Sequence, residues 1–145
     1  MIRSVVTICT GNICRSPVAA GALASLMPDV AVSSAGLHAL VGRGIDRDSK
    51  AAADLFGIAP QDHVARQFSS EIGQGADLLI VMETHHRQEI GRRWPQFLGK
   101  TFLLGQFEGD KEIADPYRRG RMLHIHMAEQ VFESSKLWAA NIGSF

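Results

Sequence analysis

Four short apolar runs alternate with segments of helical character, and this alternation restricts the fold more than anything else in the chain. Residues 2–8 (with Val5-Val6-Thr7-Ile8 at their centre), Val30-Ala31-Val32, Asp77-Leu78-Leu79-Ile80-Val81 and Thr101-Phe102-Leu103-Leu104 read as strands. Residues 16–27 read as a helix with Val18, Ala22, Leu23 and Leu26 on its apolar face and Pro28 closing it. A second helix spans 47–57 and ends at Gly57; a short one capped by Ser69 or Ser70 ends before Gly75. Another runs through Trp94 and stops before Pro95. The last, 119–141, places Met122, Ile125, Ala128, Val131, Phe132, Ser135, Trp138 and Ile142 on or near one face. Residues 35–46 and 105–118 read as irregular loops. Strands alternating with helices imply an α/β single domain: a four-stranded parallel sheet with helices on both faces. Ligands in such sheets bind beyond the carboxyl ends of the strands.

Composition narrows the class. A chain of 145 residues sits near the usual size of one domain and can bury a core. Zero formal net charge gives no footprint for nucleic acid. No signal peptide and no membrane-spanning stretch is apparent, so the expectation is a cytoplasmic protein without membrane insertion. Two cysteines without an export signal fit a reducing compartment rather than a disulfide scaffold. There is no repeat, low-complexity tract or linker.

The first strand runs directly into Cys9-Thr10-Gly11-Asn12-Ile13-Cys14-Arg15-Ser16, and a helix follows at once. Ser16 reads as its N-cap and Pro17 as its first residue. A loop between a strand end and a helix N-terminus turns several backbone N–H groups towards one point. The helix dipole adds partial positive charge there, so the loop favours an anion. Arg15 supplies a planar fork that matches two phosphate oxygens. Cys9 sits at the mouth of the same cradle, where a positive field favours the thiolate. Gly11 and Asn12 tolerate the positive φ that a tight wrap needs. An anion cradle with a thiolate at its base points to phosphoryl transfer through a cysteinyl-phosphate.

The segment Cys9–Pro17, CTGNICRSP, resembles the phosphate loop of the low-molecular-weight protein tyrosine phosphatases. Asp115-Pro116-Tyr117 resembles that family's second signature. Ser34-Ala35-Gly36-Leu37, Gly57-Ile58, Ala65-Arg66-Gln67 and Met82-Glu83 resemble its connecting regions, and the likeness is nearest to bacterial members associated with exopolysaccharide or capsule synthesis. The resemblance implies a phosphatase domain over residues 1–145, with Cys9 as nucleophile, Arg15 binding phosphate and Asp115 as general acid and base. Thr10, Gly11, Asn12, Ile13, Cys14 and Ser16 complete the phosphate site. No cofactor and no metal is needed.

Pro116 restricts Asp115 to extended geometry and so stiffens the aim of its carboxyl. Asp110, Glu108 and Glu112 share the loop without that brace. Tyr117 reads as one wall of the cleft, as the resemblance implies, with Arg118 where animal relatives carry a second tyrosine. Leu40 takes the place of the opposite, usually aromatic wall, which implies a more open cleft. Asn12 is expected to hold the loop by side-chain hydrogen bonds, and the Ser16 hydroxyl to donate to the Cys9 thiolate. Cys14 is either a buried structural cysteine or, as the resemblance implies, a disulfide partner for Cys9 under oxidation. Neither His85-His86 nor His124 and His126 places both rings on one helical face, so exposed or locally bonded histidines are expected rather than a metal site.

Four rival readings remain. Thioredoxin-coupled arsenate reductases need further cysteines, and none follows Cys14. Protein arginine phosphatases tend to carry threonine where Ile13 stands and a different aromatic where Tyr117 stands. An idle phosphotyrosine-binding module would require neither a nucleophile nor an acid. A redox sensor leaves Arg15 and Asp115 unexplained. The resemblance implies a phosphotyrosine protein as partner, a bacterial tyrosine autokinase controlling polysaccharide export, and a monomer is expected. No partner-specific motif is present.

Overall fold

The computed structural model describes residues 1–60 and 62–145. The sheet has the order β2-β1-β3-β4, from β1 (Ser4–Cys9), β2 (Ala31–Gly36), β3 (Leu78–Val81) and β4 (Thr101–Leu103). Every pairing is parallel. Helices α1 (Arg15–Leu26), α2 (Arg47–Leu55), α3 (Ser70–Gly75), α4 (Thr84–Arg93) and α5 (Arg121–Asn141) connect and flank the strands. The four strands and five helices stand where the sequence places them.

Pleating divides the core in two, because successive side chains point to opposite faces. Val5, Cys9, Leu78 and Ile80 pack with Val18, Leu23, Ala53, Val131 and Trp138 of α1, α2 and α5. Val6, Ile8, Leu79 and Val81 pack with Phe68, Ile90 and Phe97 on the other side. Helices therefore cover both faces. Trp138, fully buried, satisfies its indole by donating Nε1–H to the Leu104 carbonyl at 2.8 Å. Among the described residues no helix is long and apolar enough to cross a membrane.

Several boundaries differ from the sequence reading. Strand β2 extends to Gly36, four residues past Val32, because pairing with β1 overrides the low strand propensity of Ser33-Ser34-Ala35-Gly36. Helix α1 starts at Arg15 with Cys14 as its N-cap, so Ser16 lies inside the first turn and is not a cap. Helix α5 starts at Arg121, after Gly120 in a positive-φ conformation. Its buried face is His124, Met127, Ala128, Val131, Ser134, Ser135 and Trp138, whereas Met122 is 74% exposed. Buried polar residues on α5 conceal that phase in the sequence: His124 bonds Ser49, and Ser134 donates to Glu108. The loop 105–118 holds a short 3-10 turn, Gln106–Glu108, and another 3-10 segment, Pro95–Lys100, follows α4.

Candidate active site

Cys9 ends β1 at the middle of the sheet, and the loop from Thr10 to Cys14 leads straight into α1. The hydrogen bonding of this loop is one-sided. Its carbonyls face outwards and are taken: Cys9 O by Leu37 N–H, Thr10 O by His38 N–H, Gly11 O by Leu40 N–H, Ile13 O by Asp46 N–H and Cys14 O by Val18 N–H. His63 Nε2 lies 2.5 Å from Asn12 O. The N–H groups of residues 10–14 donate to no carbonyl or side chain among the described residues. Buried amides are almost always paired, so an arc of free donors at a helix N-terminus is a seat for an anion.

Asn12 supplies the bend. It alone in the loop takes a left-handed conformation, φ 61°. Its side chain donates to Ser16 Oγ (2.8 Å) and Ser34 Oγ (3.0 Å) and accepts from Arg66 N–H (2.9 Å). Gly11, expected to share this role, has no positive φ; a Cβ there would meet Leu40 and Ile13 at an ordinary 3.8 Å. Ser16 Oγ accepts from Asn12 and lies 2.9 Å from Cys9 Sγ, so its own proton is free to point at the sulfur. Asn12 and Ser16 are fully buried behind the loop and do not line the cavity.

Arg15 is 2% exposed. One end of its fork is committed: Nη1 donates to the Ile113 carbonyl at 2.7 Å and lies 3.2 Å from Glu83 Oε2. The other edge is open. Among the described residues Nε is buried without a partner, and Nη2 has only Asp115 Oδ2 at 3.8 Å. An unused Nε–Nη2 edge, on a side chain that lines the same cavity as Thr10, Gly11, Ile13 and Cys14, fits two oxygens of one phosphate. Asp115 stands at the rim, 49% exposed, with Oδ1 accepting the Tyr117 N–H at 3.0 Å. That Asx-turn, together with buried Pro116, fixes the carboxyl's direction.

A cavity of about 170 Å³ opens over these groups, lined by Cys9, Thr10, Gly11, Ile13, Cys14, Arg15, His38, Leu40, Asp115 and Tyr117. Leu40 and Tyr117 pack beside Ile13, Cys14 and Ala65 as its apolar side. The Arg118 guanidinium lies 5.1 Å from the Tyr117 ring centre. Burial pushes the Cys14 thiol up to about 12, against a smaller lowering by the Ser49 hydroxyl of α2.

Sequence reasoning missed Glu83, which orients Arg15, and His86, which lies 3.0 Å from Thr10 Oγ1. It also missed His38 at the cavity and the buried state of His86 and His124, because these contacts join residues far apart in the chain. Potential metal ligands do gather twice, as Glu83, His85 and His86 and as Cys14, Asp46 and His124. Both groupings hold internal partners: Arg15 and His85 take Glu83 Oε2, and Ser49 Oγ lies 2.7 Å from His124 Nδ1.

Gly36, named in the sequence only as part of a connecting region, has a steric role at the site. It pairs with Cys9 at the end of β2, and a Cβ there would lie 2.6 Å from the Thr10 carbonyl oxygen and 3.0 Å from Asn12 Cβ. Neither atom belongs to a flexible side-chain end, so Gly36→Ala must displace the loop. We expect kcat on an aryl phosphate to fall roughly 10²-fold, with the circular dichroism spectrum retained. An unchanged kcat would show that the loop tolerates the shift.

The fold and the site together describe an α/β enzyme scaffold presenting a cysteine at the floor of an anion seat. Residues 4–144 match the family described as low molecular weight phosphotyrosine protein phosphatase, and the chain belongs to that family. The probable low molecular weight protein-tyrosine-phosphatase AmsI of Erwinia amylovora is 40% identical over 121 residues, covering 83% of this chain and 84% of that protein. The crystal structure of the tyrosine phosphatase Wzb from Escherichia coli K30 in complex with sulphate superposes with a TM-score of 0.95 at 38% identity, covering 99% of this chain and 100% of that one. The YwlE arginine phosphatase from Geobacillus stearothermophilus superposes with a TM-score of 0.90 at 30% identity, over 98% and 94% of the two chains.

Proposed function

We propose that this protein hydrolyses phosphotyrosine in protein substrates through a cysteinyl-phosphate on Cys9. The single observation that carries the reading is the free N–H arc of residues 10–14 closed by the open edge of Arg15, with Cys9 at its floor. The phosphate sits in the arc, with two oxygens on Arg15 Nε and Nη2. Cys9 Sγ attacks phosphorus in line; the S–P bond forms as the P–O bond to the phenol breaks. Protonated Asp115 gives its proton to the leaving oxygen. The amides and Arg15 balance charge on the equatorial oxygens. Asp115, now a carboxylate, takes a proton from water as that water attacks phosphorus. Sulfur leaves with the Ser16 hydroxyl directed at it, and inorganic phosphate departs.

Leu40 and Tyr117 give the cavity an apolar side on which a phenyl ring can pack, which supports phosphotyrosine over phosphoarginine. Likeness to the tyrosine phosphatases AmsI and Wzb supports the same choice. We assign as physiological substrate a cytoplasmic segment of a bacterial tyrosine autokinase that regulates exopolysaccharide synthesis and export. The resemblance of the sequence to that branch of the family supports this assignment.

Initial rates on matched phosphotyrosine and phosphoarginine peptides test the substrate class. Faster turnover of the phosphotyrosine peptide is expected; preference for phosphoarginine would keep the chemistry and overturn the substrate. Asp115→Asn should lower kcat on the phosphotyrosine peptide by about 10²–10⁴-fold. The loss should shrink for p-nitrophenyl phosphate, whose leaving group needs little protonation. Equal losses on both substrates would remove Asp115 from the acid role.

A further inference from the structure

His86 lies in the first turn of α4, outside the phosphate loop, yet it is 1% exposed and hydrogen-bonded to that loop. Its Nδ1 accepts the Glu83 backbone N–H at 3.1 Å. A ring nitrogen that accepts an N–H carries a lone pair, so the proton of the neutral ring is on Nε2. Nε2 lies 3.0 Å from Thr10 Oγ1 and therefore donates to it. Thr10 Oγ1 has no other partner among the described residues, and Thr10 lines the cavity. One lone pair of the hydroxyl is thus consumed, while its proton is left for an acceptor in the cavity.

The charged and titratable groups facing the ring are Arg15 of α1, Glu83 at the N-cap of α4, His85 beside it, and His38 of the loop after β2. Burial first, then the positive Arg15, then His85 and His38 push His86 down to about 3. The ring is neutral wherever the enzyme would be assayed.

We propose that His86 is a positioning residue of the phosphate site: its Nε2–H, donated to Thr10 Oγ1, turns the Thr10 hydroxyl into a fixed donor to the substrate's phosphoryl group. The proposal rests on the reading of residues 9–15 as the phosphate site. A free hydroxyl rotor would present a lone pair to a dianion part of the time. A threonine whose acceptor side is occupied by histidine presents its proton instead.

The test compares kcat and KM for p-nitrophenyl phosphate, and the inhibition constant of inorganic phosphate, in wild type, Thr10→Val, His86→Leu, His86→Gln and the double variant Thr10→Val/His86→Leu. Thr10→Val should raise KM and the phosphate inhibition constant about tenfold, with a smaller change in kcat. His86→Leu should act in the same direction. The double variant should be no worse than the poorer single one, because both remove the same bond. His86→Gln, which keeps an N–H donor, should recover most of the loss. Phosphate binding within twofold of wild type in Thr10→Val, or additive losses in the double variant, would overturn the proposal.

Because His86→Leu leaves the half-buried Glu83 N–H unpaired and can unfold, the wild-type protein supplies a second measurement. Its long-range proton–nitrogen spectrum should place the His86 proton on Nε2, unchanged between about pH 5 and pH 8. A proton on Nδ1, or titration in that range, overturns the proposal. Cys9→Ser separates the two readings. Turnover lost with phosphate binding kept leaves the site reading intact, so a failure confined to Thr10 and His86 sinks this proposal alone. Turnover retained in Cys9→Ser sinks the site reading and this proposal with it.

Discussion

Cys9→Ser is expected to abolish turnover while leaving phosphate binding nearly unchanged. Loss of a covalent nucleophile costs about 10⁴-fold or more in kcat. The surroundings of residue 9 explain why serine cannot substitute. The site offers its sulfur a directed hydroxyl from Ser16 at 2.9 Å and the free amides of residues 10–14. None of these groups removes a proton from residue 9. In the proposed mechanism the carboxyl that lines the cavity, Asp115, is committed to the leaving group in the first step. A serine there stays protonated and inert. Binding should survive because the amide arc and the open edge of Arg15 are untouched. The inhibition constant of phosphate should lie within about threefold of wild type, a change smaller than one net hydrogen bond. Brief mixing of wild-type enzyme with phosphopeptide, followed by quenching, should trap phosphate on Cys9. A Cys9→Ser enzyme with even one-hundredth of the wild-type rate would exclude the covalent scheme.

The parts of this site that the sequence displays are the contiguous ones. Cys9 to Arg15 fall within one strand–loop–helix connection, so their meeting follows from local geometry. Asp115 needed the parallel sheet as well, since only the topology puts a loop after β4 at the same end as Cys9. What stayed hidden depends on contacts between distant residues: Arg15 with Glu83 and Ile113, Thr10 with His86, Gly36 against Thr10. No periodicity announces them. Local signals also misdirected in small ways. Ser16 ahead of Pro17 imitates a cap, but its hydroxyl is used by Cys9 and Asn12. Gly11 imitates the flexible residue of the loop, and Asn12 makes the turn instead. Ala35 and Gly36 read as loop, yet they end β2, where Gly36 must lack a side chain to meet the loop after β1. In each case the requirement of the site displaced the ordinary preference of the residue.

Arg15→Lys is expected to be almost as damaging as loss of the nucleophile, although charge is conserved. The guanidinium serves two directions at once. Nη1 donates to Ile113 O at 2.7 Å and meets Glu83 Oε2 at 3.2 Å, which anchors the loop after β1 to the segments after β3 and β4. The opposite edge, Nε and Nη2, is left for the phosphoryl oxygens in the proposed mechanism. A lysine ammonium is a single point and cannot span both. If it stays on Glu83, the nearer opposite charge, the phosphate loses its bidentate partner in the transition state. If it turns to the phosphate, the buried Ile113 carbonyl is left unpaired at a cost of about 1–3 kcal/mol. We expect kcat to fall by about 10³-fold or more, the scale seen when an arginine is withdrawn from a phosphoryl-transfer site. KM should rise too, because the ground-state dianion uses the same edge. Glu83→Gln discriminates between the two duties: it removes the competing carboxylate but leaves Nε and Nη2 in place. In the Arg15→Lys background it should release the ammonium towards phosphate and restore part of the lost kcat, while lowering kcat in the wild-type background. A kcat for Arg15→Lys within tenfold of wild type would show that charge alone, not the fork, is what the site requires.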